Sequence, residues 1–221
     1  MTTMTIIALE FSSEQRSVAI SRDGVVWDEA METGGRSTAA FAMIEKVLAR
    51  AKMEREEIEA IAVGLGPGSY TGVRSAIALT QGWQLARGIK MTGVSSVEAI
   101  ATGAQAEKIF GRVNVMVNAQ RGEFYLAVYE ITEAGWTEIA PLKIVPLADV
   151  QSLAGKGEIL AGPEAAKFSP NGRALFPHAA AVAKLAGIRG NFSTTEKLEP
   201  IYLRETTFVK AQIFPTRNAN G

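Results

Sequence analysis

Residues Gly64 to Arg74 read GLGPGSYTGVR and concentrate the groups that bind anions. A strand that runs through a glycine turn into a helix points backbone N–H groups and the positive end of a helix at one spot. Gly66, Gly68 and Gly72 admit unusual φ and close backbone approach, Pro67 stiffens the turn, and Ser69 and Thr71 carry hydroxyl donors. Two known phosphate patterns are nevertheless missing. No Lys-Ser or Lys-Thr follows the last glycine, as a Walker A loop requires, and Thr71 occupies the third glycine position of G-x-G-x-x-G. No acidic residue stands about 20 positions further on, where a dinucleotide fold places its ribose ligand. Spacing alone leaves two readings open, an anion cradle and a tight structural turn.

Other residues able to do chemistry are sparse. Glu10 and Glu123 sit at strand ends and could orient a water or a metal, or be solvated carboxylates. His178 follows Pro177 at a helix start, where a cap or surface role is simplest. Tyr202 and Arg204 in PIYLR could clamp the tail or lie on a surface strand. The chain has no cysteine and one histidine. That excludes disulfides, thiol nucleophiles, Cys-type zinc sites and any site needing two His ligands. No G-x-S-x-G elbow partners His178, so a Ser-His-Asp hydrolase is not supported.

The elements that must position these residues follow from the hydrophobic pattern. TIIALEFSS from Thr5 is a short β-rich run, and alternation around Asp23-Gly24 marks a hairpin. Ser37 or Thr38 caps an expected helix to about Met53, with Ala40, Phe41, Ile44, Val47, Leu48 and Ala51 as its apolar face. A buried strand, Ala60 to Val63, leads into the glycine loop and a helix from about Val73 to Arg87. A strand in IKMTGVSS and a helix in SVEAIATGAQA follow. The pattern then restarts: RVNVMVNAQRGEFYLAVYEIT is again strand, tight turn at Arg121-Gly122, strand. Further strands lie in TEIAPLKIVP and EILAGP, and a helix in PHAAAVAKLAGIRG. A chain that opens twice in the same way predicts a duplicated α/β fold of two lobes, 1–104 and 105–221, with a cleft between them.

Composition bounds the class. At 221 residues with 47% hydrophobic and 21% charged residues, a sizeable packed core is expected. Lys plus Arg equals Asp plus Glu at 23 each, so no global charge draws the chain to nucleic acid or an anionic membrane. Apolar stretches are interrupted well before the ~18 residues of a membrane span. MTTMTIIALEFSS has neither a basic n-region nor a long h-region, so no signal peptide is expected and a cytoplasmic protein is predicted.

The string GLGPGSYTGVR closely resembles the G-x-G-P-G-S-[FY]-T-G-[VL]-R segment of the TsaB (YeaZ) family, which supports threonylcarbamoyl modification of the tRNA adenosine beside the anticodon. IIALEFSSEQRSVAI, VMVNAQRGEFYLAVYE and PIYLR resemble three further family segments, in order, from residue 6 to 204. The resemblance implies an actin/Hsp70-like ATPase-type (ASKHA) fold and an inactive relative of the catalytic subunit TsaD. It implies no catalytic residue, metal or cofactor on this chain, with ATP and metal on partner subunits. A TsaD-type subunit and a TsaE-type ATPase are the implied partners, tRNA is met only through the complex, and a homodimer is possible when the chain is alone. The family departs here at three places. Its first-turn Asp is Glu10, the Asp and Arg of its second hairpin are Asn118 and Gln120, and the helix from Ser37 to Met53 has no histidine. A stand-alone nucleotide-dependent transferase or glycoprotease-like peptidase is the competing reading.

For a protein that works through contact, the helix surfaces matter. By 3.6-residue periodicity Ala78, Gly82, Leu85 and Ile89 share one side of the helix after the loop, assigned to the core. Ala76, Thr80, Trp83 and Arg87 share the other, assigned to a partner. On the earlier helix Ala39, Met43, Lys46 and Arg50 fall opposite the apolar face. The expected partner interface is therefore Met43, Lys46, Thr80, Trp83 and Arg87.

Overall fold

A computed structural model describes residues 4–34, 39–195 and 197–203. Its backbone is one arrangement used twice. In the first half β1 (Thr5–Glu10), β2 (Gln15–Arg22) and β3 (Val25–Thr33) form an antiparallel meander, and β4 (Ala60–Gly64) and β5 (Lys90–Val94) extend it in parallel on the other side of β1. The sheet order is β3-β2-β1-β4-β5. In the second half β6 (Gly111–Gln120), β7 (Glu123–Thr132), β8 (Gly135–Pro146), β9 (Ile159–Gly162) and β10 (Gly172–Ala174) repeat it as β8-β7-β6-β9-β10. The duplication expected from the sequence is present strand for strand. This is the two-lobed actin/Hsp70-like ATPase-type α/β fold.

Turn chemistry sets the register. Asp23 and Gly24 have φ of 57° and 78°, and Arg121 and Gly122 of 58° and 75°. Two consecutive positive-φ residues make the mirror-image turn whose twist matches a two-residue hairpin.

Five helices complete the lobes: α1 (Ala40–Ala51), α2 (Tyr70–Arg87), α3 (Ser96–Ala106), α4 (Leu147–Gly155) and α5 (Ala179–Arg189). β1 is buried on both faces. Ile7 and Leu9 pack with α1 and α2 residues, while Ile6 and Ala8 meet the alanine-rich face of α5. Ala8, Ala19, Ala60 and Ala62 keep that second face shallow, so Ala179, Val182, Ala183 and Ala186 can lie close to it. Helices α3 and α5 cross over between halves: α3 packs on β6 to β9 and α5 on the first sheet. Arg189 joins them with two hydrogen bonds to Glu98, of 2.7 and 3.0 Å. A cut at residue 104 falls inside α3, and each sheet carries a helix from the other half.

Local expectations and structure differ in instructive places. α1 has Met43, Ile44, Val47, Leu48 and Ala51 buried, whereas Phe41 is 71% exposed. Met43, expected on the partner side, is a core residue. Ser37, Thr38 and Arg204 lie outside the described residues. α2 begins three residues earlier than expected, because the Ser69 hydroxyl accepts the Gly72 N–H at 3.2 Å and caps it. β10 carried no sequence signal.

Candidate functional site

The glycine loop joins β4 to α2, and its glycines serve close approach to the β1–β2 turn. A Cβ on Gly68 would strike the Ser12 carbonyl oxygen, and one on Gly72 the Phe11 carbonyl oxygen. The loop therefore lies against the backbone of the first turn, and its donors are engaged there. Ser69 N–H donates to the Ser12 carbonyl at 2.6 Å, Gly66 N–H to Ser96 Oγ at 3.1 Å, and Val73 N–H to the Ser69 carbonyl at 3.0 Å. Pro67 has no N–H, and Ser69 Oγ is the helix cap. Thr71 is exposed. The N–H groups of Gly66, Ser69, Gly72 and Val73 are thus bonded within the chain.

Glu10 stands behind the loop. It ends β1, is fully buried, and its carboxylate accepts the Ser12 N–H at 2.7 Å and the Ser96 hydroxyl at 2.8 Å. Burial raises its pKa above the ordinary carboxylate value, against the opposing pull of those hydrogen bonds. Its counterpart in the second half is tied inward too. Asn118 Oδ1 accepts Gln120 N–H at 2.7 Å and its Nδ2 donates to Glu164 at 2.9 Å. Glu123 opens β7 opposite Gln120. Among the described residues no group of three or more Asp, Glu, His or Cys is placed to hold a metal ion.

His178 precedes α5 without capping it through its side chain; Nδ1 lies 3.7 Å from Glu29 Oε2. Glu29 Oε1 in turn accepts the Ala180 N–H at 3.0 Å, so the carboxylate takes the capping role. The Glu29 contact raises the His178 pKa despite burial. Burial opposes ionisation of Glu29, but His178 and the Ala180 N–H outweigh it and hold its pKa low.

The helix surfaces correct the expected interface. Thr80 is fully buried, its hydroxyl donating to the Ala76 carbonyl at 2.9 Å. Trp83 is half-buried against the first core. Arg87 is exposed but tethered, donating to the Arg55 carbonyl at 2.6 Å. Lys46 is exposed. The outward side of α2 is instead Arg74, Ser75, Ala78, Gly82, Leu85 and Ala86, with Leu85 86% exposed. Ala78, Gly82 and Leu85, assigned to the core, face outward, and Ala76 and Thr80, assigned to a partner, are buried, whereas Ile89 is buried and Arg87 exposed as assigned. Gly72, Ala76 and Thr80 are the small residues that let α2 sit near the sheet.

The chain after α5 returns to this region, which the weak pattern of the tail did not reveal. Ser193 pairs with Met91 at the open edge of β5, Leu198 enters the first core, and Ile201 N–H donates to the Leu65 carbonyl at 2.8 Å. Tyr202 then stacks on Tyr70 at 5.5 Å between centroids, and the Arg74 guanidinium lies 5.2 Å from the Tyr70 ring centre.

Two sheets of the same topology, a glycine loop at the end of β4 and helices crossed between the halves define a protein of the actin/Hsp70-like ATPase-type fold. Residues 7–198 match the TsaD family of tRNA N6-adenosine threonylcarbamoyltransferases. The chain is 30% identical over 220 residues to the tRNA threonylcarbamoyladenosine biosynthesis protein TsaB of Escherichia coli K12, covering 91% of this chain and 95% of that one. It is 31% identical over 150 residues to TsaB of Bacillus subtilis, covering 66% and 64%. The solved structure of YeaZ from Pseudomonas aeruginosa superposes with a TM-score of 0.76 at 26% identity, over 90% of this chain and all of that one. The chain belongs to the TsaB (YeaZ) family of tRNA threonylcarbamoyladenosine biosynthesis proteins. No described helix is long and apolar enough to cross a membrane.

Proposed function

We propose that this chain is a non-catalytic subunit that activates a TsaD-type threonylcarbamoyltransferase in forming N6-threonylcarbamoyladenosine beside the tRNA anticodon. It works in the cytoplasm and supplies a contact surface; ATP and metal belong to partner subunits, including a TsaE-type ATPase, and tRNA is met through the complex. The observation that carries the reading is the outward stripe of α2, where Ala78 and Gly82 permit close helix approach beside an exposed Leu85. Small residues flanking one large apolar side chain suit a helix-to-helix contact with TsaD or with a second copy of this chain. Engagement of the loop donors inside the chain supports the absence of a nucleotide role.

Reconstitution tests this. The purified chain alone should turn over neither ATP nor peptide, and adding it to TsaD- and TsaE-type subunits with tRNA, ATP and threonylcarbamoyl donor should restore modification. Turnover by the isolated chain, or modification that proceeds equally without it, refutes the proposal.

A further inference from the structure

We infer that the side-chain carboxyl of Glu10 is an internal brace of the glycine loop, holding both of its ends through Ser12 and Ser96. Burial by itself would only make Glu10 a costly core residue. The direction of its two oxygens distinguishes it. Oε1 accepts from the Ser12 N–H at 2.7 Å, and the Ser12 carbonyl accepts the Ser69 N–H at 2.6 Å. Oε2 accepts from the Ser96 hydroxyl at 2.8 Å, and that same oxygen of Ser96 accepts the Gly66 N–H at 3.1 Å. One carboxyl thus reaches Gly66 and Ser69, the two ends of the turn, through one serine each.

The connection extends to the helices that the turn positions. Ser69 caps α2, and Ser96 is the first residue of α3, with its own N–H donating to the Gly66 carbonyl at 2.7 Å. Gly64 closes the back of the site, since a Cβ there would overlap the Glu10 carboxyl. Side-chain length matters to this bracket. An aspartate would be shorter by one carbon–carbon bond, about 1.5 Å, and could not reach Ser12 and Ser96 together from the end of β1. Glu10 is a positioning residue, acting on α2 through the loop.

Chemical rescue tests it on the whole chain, with no partner present. Glu10→Gly should lower the Tm, and formate or acetate should raise it in a saturable way that chloride does not reproduce, because the small acid refills the bracket. Wild type and Ile7→Val, which opens an apolar gap in the same strand, should show no such rescue. Inorganic phosphate should leave the wild-type Tm unchanged. A Glu10→Gly response to formate and acetate no larger than that of Ile7→Val overturns the inference, as does saturable stabilisation of wild type by phosphate. If Glu10→Gly does not yield folded protein, the cycle of Glu10→Gln with Ser96→Ala decides: non-additive Tm losses are expected, and additive ones overturn it. Failure here would leave the TsaD-activating role standing, because the readout never involves a partner.

Discussion

Leu85 and Trp83 lie two residues apart on α2 and should separate binding from folding. Leu85 is 86% exposed, so Leu85→Ala removes a side chain that is almost entirely in water. The fold should lose no more than about 0.5 kcal/mol. Covering that side chain with a partner removes nearly all of its apolar surface from solvent, worth about 1.5–3 kcal/mol. A central value of ~2 kcal/mol corresponds to about 30-fold in Kd at 1.4 kcal/mol per decade. Trp83 is half-buried against the first core, so Trp83→Ala should act chiefly on stability, below the ~3–5 kcal/mol of a fully buried aromatic. Calorimetric titration of a purified TsaD-type subunit with each variant, beside thermal unfolding of each variant alone, reads both quantities. Affinity unchanged by Leu85→Ala but weakened by Trp83→Ala in a chain of normal stability would place the partner on the other side of α2 and refute the assignment.

Gly72→Ala should destabilise the chain by about 1–3 kcal/mol or more in urea unfolding, because its Cβ meets the Phe11 carbonyl oxygen. Tyr202→Ala removes the stack on Tyr70 and should cost about 0.5–1.5 kcal/mol. Faster hydrogen exchange at the Ile201 amide, which bonds the Leu65 carbonyl, would register that loss locally. The His178–Glu29 pair should make stability depend on pH. His178 is raised above its ordinary 6.5, so its contribution is full below that value and is lost as pH rises through the folded pKa. Glu29 is lowered from its ordinary 4.5, so its contribution is full above that value and is lost as pH falls through the folded pKa. His178→Gln should therefore lose more stability at ~pH 5.5 than at ~pH 9, and equal losses at both would show that the pair contributes nothing.

The strands and their turns were legible because their determinants are local. Asp23-Gly24 and Arg121-Gly122 specify hairpins through φ, and the apolar run of β1 specifies burial on both faces. Three things were not legible. Periodicity divides α2 into stripes but carries no sign, and a Trp beside small residues is a pattern common to cores and to binding surfaces. Thr80 also looked outward-facing as a polar residue, whereas its hydroxyl is satisfied by its own helix at Ala76 and can be buried without cost to a neighbour. The site around Glu10 depends on Ser96, 86 positions away, and no pattern within one segment encodes that pairing. β10 has only three residues, too few for a period to be read.

The duplication itself indicates where the specialised surface lies. Both halves run three antiparallel strands, a helix, two parallel strands and a helix, so α1 corresponds to α4 and α3 to α5. Between the two parallel strands the halves part. The first half inserts the glycine loop and the 18-residue α2, whereas the second has only a three-residue 3-10 turn, Ala165–Lys167, between β9 and β10. A segment needed only to build a lobe would have an equivalent in both, since β9 and β10 pair in parallel without any long helix of that kind. The tail then adds a second investment at the same place, running from Met91 to Leu65 and Tyr70 along the side of α2. α2 thus has no counterpart in the second half: its inner face, Val73, Ala76 and Ile77, joins the first core, it is capped by its own loop and braced by the tail, and Ala78, Gly82 and Leu85 remain turned outward, as the proposed contact requires.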